Sequence, residues 1–369
     1  MIKHYATPEG TKAYAKRIHS VHTSHFRHPF DLFLSSIGIG TYLGEMDEET
    51  DQNSFLAIER SILNGVNVID TAINYRGQRS ERMIGKVLSD LTQHRGFKRE
   101  ELFIATKGGF IPFDGEYPQE PAKFFSKTYV EPGILKEEDI IQGCHAMTPR
   151  YLADQLERSL KNLNLETVDL YYIHNPEMQL DETAEDLFYQ RLTEAFKMLE
   201  QKVSDGKIKM YGLATWNGFR VSSKMKGHLN FEKIMESTLE AGGKDHHFKS
   251  VQLPFNLGMP EAFTLQNQNW KGEDVSAIEF ARRAGLIVFS SASLLQGRLA
   301  KHVPEKIKSL FPGCSSQAAC ALQFVRSTPG VTTALVGMKS VTHVDENLKI
   351  KEVPPLEPNA FYNLFVERP

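Results

Sequence analysis

The chain has 369 residues, 41% hydrophobic and 24% charged, which is soluble globular composition with ample core. A formal net charge of −3 removes the global basic field that argues for nucleic-acid binding. No run of about 18 apolar residues exists to span a bilayer, and the first twenty residues lack the apolar stretch of a secretory signal.

Residues 1–34 are polar, with His19, His22, His25 and His28 at three-residue intervals. That spacing drifts around a helix and alternates across a strand, so four rings converge on a metal in neither. No metal site is expected, and the segment is read as an extension or short hairpin. Residues 34–41, LSSIGIGT, form a first buried strand. GIGTYLG is not GxGxxG, and acidic residues follow instead of a helix, so a doubly wound dinucleotide fold fails its test of context. Helices are then expected at 51–64, 80–91, 149–163, 185–202, 231–239, 273–284, 315–326 and 341–348. Thr148 caps the third, with Pro149 in its first position. Strands are expected at 66–70, 102–107, 168–174, 208–214, 250–253, 286–289 and 331–336. A polar, proline-containing tail at 351–369 closes the chain. Cys144, Cys314 and Cys320 lack ligand spacing and fit reduced thiols, hence a cytoplasmic location.

Strands and helices alternate at one β/α unit per interval, except between strands ending at 107 and 174. This predicts the α/β class, as a (β/α)8 TIM barrel over residues 35–350 with long loops at its C-terminal face. The long interval holds an insertion, 108–147, rich in Pro, Gly and aromatics. It is expected to cover a substrate; a surface elaboration or subunit contact is the alternative.

Active sites of such barrels assemble at the C-terminal strand ends. Strand two ends at Asp70, with Tyr75 just beyond; strand three ends at Lys107 and strand four at His174. Each alone has a structural explanation: a buried ion pair, a packed tyrosine, a satisfied histidine. Together they form a proton-transfer set. A lysine ammonium beside Tyr75 lowers its pKa from about 10 and makes the phenol a usable acid. Asp70 holds the lysine, and His174 orients a substrate oxygen.

The stretches NVIDTAINYRGQRSERMIGKVL, IATK and VDLYYIH resemble the aldo-keto reductase superfamily, and the resemblance runs over about residues 35–350. It implies Asp70, Tyr75, Lys107 and His174 as the catalytic tetrad, and an NADP(H) cofactor held without a Rossmann domain, with NAD(H) also possible. The family usually holds the carboxamide with Ser-Asn after strand five and a Gln on strand six. Here Ala214-Thr215 and Gln252 stand there, so Thr215 and Gln252 are the expected contacts. Gly40 and Thr41 at the end of strand one are placed with the cofactor. Phe289 is expected to stack on the nicotinamide, with Ser290 near the pyrophosphate. Gly337, Lys339 and Ser340 suit the phosphate turn after strand eight, and Glu346 and Asn347 the adenine. Lys339 is a point charge, not a bidentate clamp.

The activity implied is hydride transfer between nicotinamide and an aldehyde, ketone or sugar, with Tyr75 as general acid/base. Phe110, Phe113 and Trp216 are candidate substrate walls. A cofactor-bound sensor or accessory subunit with little turnover, as potassium-channel β subunits exemplify, is the alternative. A lyase using Lys107 as a Schiff base is a third reading.

Overall fold

Each short apolar strand is followed by a helix with one apolar face, so the strands are covered outside and must close inside. The computed structural model, which describes residues 1–365, shows how. Its strands are β1 (Ile37–Gly40), β2 (Val68–Asp70), β3 (Phe103–Gly108), β4 (Val168–His174), β5 (Ile208–Ala214), β6 (Phe248–Pro254), β7 (Ile287–Ser291) and β8 (Thr333–Gly337). They pair in parallel, in chain order, and β8 closes on β1 through Ala334 opposite Ile37 and Gly337 opposite Gly40. The (β/α)8 barrel is therefore the fold.

The outer helices are α1 (Glu48–Leu63), α2 (Arg79–His94), α3 (Pro149–Leu163), α4 (Glu185–Ser204), α5 (Phe231–Gly242), α6 (Ala277–Arg283), α7 (Gln317–Arg326) and α8 (Val341–Asn347). Helix α3 starts as its sequence dictates: the Thr148 side chain accepts from the Tyr151 N–H, and Pro149 follows. Two apolar layers result. Ile84, Leu88, Leu156 and Leu160 fill the space between strands and helices. Val68, Phe103, Leu170, Ile287, Phe289 and Leu335 fill the barrel interior, a packed core and not a pore.

Several elements differ from expectation. The first strand breaks at Ser36: Leu34–Ser35 pairs antiparallel with Phe26–Arg27, and only Ile37–Gly40 enters the barrel. Pro8–Arg17 is a helix, capped by Thr7 with Pro8 in its first position. His25 is buried, with its Nε2 at 2.8 Å from the Gly65 carbonyl, and the described residues contain no metal-ligating cluster. Residues 273–276 pair as a strand with Gln266–Trp270, so α6 begins only after Ser276, its cap. In the tail, Pro358–Tyr362 is helical and Phe361 is buried against Phe263 and Phe324; residues 366–369 lie outside the described residues. Among the described residues no helix is long and apolar enough to cross a membrane.

The 108–147 insertion builds its own small core. Tyr129, Leu135 and Ala146 pack with Tyr151 of α3, joined by Phe124 and Phe125. Of its residues only Phe110 lines the cavity described below; most of its other apolar side chains pack against one another and α3.

Candidate active site

The barrel geometry puts the ends of β2, β3 and β4 side by side. Asp70 pairs with Ala105 across β2–β3, and Lys107 with Tyr172 across β3–β4. Lys107 is fully buried, and its ammonium has three protons to place. It donates to Asp70 Oδ2 at 2.6 Å, to the Thr71 carbonyl at 2.8 Å and to Tyr75 Oη at 3.2 Å. All three are thus used. The second Asp70 oxygen accepts from Gln252 Nε2 at 2.7 Å. Burial alone would pull the lysine down, but the Asp70 carboxylate and the Tyr75 phenol outweigh it and the ammonium is held above its ordinary range. Asp70 is pushed up by burial, with Lys107 and Gln252 opposing.

Tyr75 corrects one expectation. Its pKa is raised, because burial of the phenolate outweighs the neighbouring Lys107 charge. The phenol therefore stays protonated through neutrality, as a proton donor requires. Its ring meets His174 edge-on at 5.8 Å and Tyr42 at 5.2 Å.

His174 is held well below the usual histidine range, first by burial and then by the Lys107 charge. It is a neutral imidazole. Its Nδ1 is buried without a partner. A buried N–H without an acceptor is rarer than a bare lone pair, so the ring proton belongs on Nε2. The backbone carbonyl of His174 accepts from His145 Nε2 at 2.7 Å, and His145 Nδ1 in turn accepts from Gln179 Nε2 at 3.0 Å. Burial drives His145 down to about 4, which keeps it neutral and fixes this direction of donation. A side chain at Gly109 would collide with both the His145 ring and the His174 carbonyl, at 2.8 Å each, which explains a glycine after β3.

A cavity of about 950 Å³ opens over these groups and runs to the ends of β7 and β8. Asp70, Tyr75 and His174 line it, as do Gly40, Thr41, Thr215, Gln252, Phe110 and Trp216. Gly337, Lys339, Glu346 and Asn347 line its other part. Lys107 lies beneath the lining, fully buried, and four of the expected cofactor and substrate residues do not line the cavity either. Phe289 points into the barrel and stacks on Phe103 at 5.9 Å, because β7 runs on to Ser291 and puts Ser291, not Phe289, at the mouth. Ser290 faces the other way and donates to the Phe255 carbonyl at 2.9 Å. Ser340 caps α8, its Oγ accepting from the His343 N–H at 3.3 Å. Phe113 packs on Tyr117 and Phe124 inside the insertion.

The cavity also uses residues that sequence reasoning passed over: Tyr42, Asn74, Asn175, Gln296, Lys301 and Ala318. Asn175, directly after His174, is left-handed (φ 45°), a conformation Asn tolerates better than most residues; an Asn beside a candidate catalytic histidine was the available signal.

An elongated dinucleotide fits this lining. After β7, Ala292, Leu295, Gln296 and Gly297 all have positive φ (55°, 47°, 53° and 86°). Such turns gather backbone N–H groups into anion-binding concavities. Lys301 and Lys339 supply cationic charge to the same cavity, and Thr215 supplies a hydroxyl.

The sequence profile of the aldo/keto reductase family matches residues 36–239. An uncharacterized oxidoreductase of Bacillus subtilis, YqkF, is 28% identical over 86% of this chain and 88% of its own length. An NADH-specific methylglyoxal reductase of Escherichia coli is 23% identical over 57% of each chain. Among solved structures, an aldo/keto reductase of Klebsiella pneumoniae in complex with NADP and acetate superposes with a TM-score of 0.61, covering 93% of this chain and 94% of its own, at 19% identity.

Proposed function

The chain belongs to the aldo/keto reductase family, and from that premise we propose that it is an NADP(H)-dependent carbonyl oxidoreductase whose proton donor is Tyr75. The carrying observation is the buried Lys107 ammonium held between Asp70 and the Tyr75 oxygen, beneath a cavity of about 950 Å³ that Asp70 and Tyr75 line.

A carbonyl oxygen at the mouth takes a hydrogen bond from neutral His174 and a proton from Tyr75. When bound, the reduced nicotinamide supplies the hydride that the carbonyl carbon accepts. The phenolate left on Tyr75 lies beside the Lys107 ammonium, which stabilises it; Asp70 keeps that ammonium in place and charged. In the alcohol-oxidising direction the same groups act in reverse, Tyr75 as base. Phe110 and Trp216 wall the substrate, an aldehyde, ketone or sugar.

For the cofactor, Gly337, Lys339, Glu346 and Asn347 receive the adenosine end and Thr215 the carboxamide. Lys339 and Lys301 favour NADP(H), in keeping with the Klebsiella complex. The NADH-specific Escherichia coli relative keeps NAD(H) in view as the second cofactor to assay.

The test is a panel of carbonyl compounds and sugars run in parallel with NADPH and NADH, on wild type and Tyr75→Phe. Loss of the proton donor lowers kcat by about 10²–10⁴-fold, while NADPH affinity, read by fluorescence titration, stays within about twofold. Full turnover in Tyr75→Phe sinks the assignment.

A further inference from the structure

We propose that Glu177 is a positioning residue that fixes the segment presenting Thr215 and Trp216 to the cavity. The proposal rests on the reading above of those two residues as cofactor- and substrate-facing.

The reason lies in how β5 ends. Thr215 still belongs to the barrel ladder, its N–H donating to the Gln252 carbonyl at 2.8 Å. The next three N–H groups have no strand to pair with, and buried N–H groups are costly to leave unmade. One oxygen, Oε1 of Glu177, accepts all of them: Trp216 at 2.6 Å, Asn217 at 2.9 Å and Gly218 at 3.3 Å. Three consecutive N–H groups converging on one point are an anion-binding concavity. Here the chain fills it with its own carboxylate.

Glu177 sits in the loop after β4, three residues beyond His174, and is 6% exposed. No cationic side chain hydrogen-bonds it among the described residues, so backbone dipoles carry the compensation of its charge. Its Oε2 is buried with no partner. The carboxylate and the loop therefore depend on each other: if the loop moves, the charge is uncompensated, and if the charge goes, three N–H groups lose a charge-assisted bond. The carbonyl side of Trp216 is held as well, by Arg220 Nη1 at 3.2 Å, and Arg220 is itself tied to Glu261 at 3.0 Å. The indole, 42% exposed at the mouth, thus stands on a peptide pinned at both ends. A pinned backbone also suits a chain in which Ala214 has no side-chain hydrogen bond to offer the carboxamide, leaving Thr215 to be placed accurately.

Trp216 and Trp270 are the two tryptophans, so Trp270→Phe makes Trp216 the sole reporter. In that background, Glu177→Gln and Glu177→Ala are compared with the parent, first without any ligand. Acrylamide quenching of Trp216 is expected to quicken in the order parent, Gln, Ala. In assays with NADPH, the KM values for cofactor and carbonyl rise about tenfold in Ala and less in Gln, while kcat changes by less than about threefold. Unchanged quenching in Glu177→Gln together with unchanged KM overturns the proposal, whether or not the Ala variant folds. So does a fall in kcat alone at constant KM, which marks a smaller folded fraction. If the parent oxidises no NADPH with any carbonyl, the functional reading falls, and the ligand-free quenching still decides the role of Glu177.

Discussion

Around Asp70, Lys107 and Tyr75 every charge has a partner within 3.2 Å, whereas Lys301 and Lys339, in the other half of the same cavity, make no ion pair among the described residues. The first half is complete without a ligand. Its lysine is saturated, its aspartate is held on both oxygens, and its histidine is neutral, with its backbone carbonyl held by a chain of donors. The second half is a set of turns and unengaged cations. A proton must be delivered to one point along one line, so its donor is preorganised. An anionic cofactor can organise flexible cations as it arrives. The contrast predicts that substitutions in the first half cost stability and turnover together, and that those in the second cost affinity alone.

Lys107→Met is the strongest way to break that contrast. It leaves Asp70 buried, bonded to Gln252 but without its counter-ion. Removing one partner of a buried pair typically costs about 3–5 kcal/mol. Urea unfolding should show a loss of that size, and turnover should collapse as well. The double variant Lys107→Met/Asp70→Asn should regain much of the stability and none of the activity. A single variant as stable as wild type would show that the pair is not the buried unit described here.

His145 gives an intermediate effect, and its sign can be worked out. Its pKa falls from 6.5 to about 4 on folding because burial disfavours the imidazolium. Below pH 6.5 the unfolded chain takes up a proton that the folded one refuses. Stability is therefore fully present above pH 6.5 and is lost as the pH falls toward 4, at about 1.4 kcal/mol per pH unit for one such group. His25, lowered to about 3 by burial, adds in the same direction. Urea midpoints taken from pH 7 to 4.5 should fall along this slope, and His145→Gln should make it shallower by one histidine. An equal slope in that variant would mean His145 is not buried neutral.

The first half is also the part the sequence made legible. Asp70 and His174 end their strands and Lys107 stands one residue before the end of its own, all in buried runs with β-branched residues, and a run of that kind determines where its end faces. Phe289 fails for the opposite reason. The strand runs two residues past the expected end at 289, and in a period-two element the true mouth residue is then Ser291, with Phe289 one layer down in the barrel core. Ser340 suits a phosphate turn by position, but a serine before a helix serves the first free N–H groups of that helix. The hairpin at 266–276 is hidden because Val275, three residues before Ile278, continues the apolar period of α6. The buried contacts of Glu177 and His145 are tertiary, joining loops 39 to 41 and 29 residues apart, and no local pattern announces them.

The smallest effect lies in the second half. Lys339 is exposed at the end of β8, beside Gly337 and the start of α8, and it offers a point charge where a bidentate arginine would grip harder. A single exposed contact of this kind is worth about two- to fivefold in affinity. Lys339→Ala should weaken NADPH by that factor and leave NADH unchanged, because only NADPH carries the additional 2′-phosphate. Raising the salt concentration should shrink the difference in wild type and not in the variant, since exposed charge contacts are screened. Thermal stability should not move, because the lysine pairs with nothing in the described chain. Equal losses for both cofactors would shift Lys339 from the 2′-phosphate to the shared pyrophosphate. A loss of stability would erase the distinction between the two halves, since it would mean that the cationic end is also part of the fold's own framework.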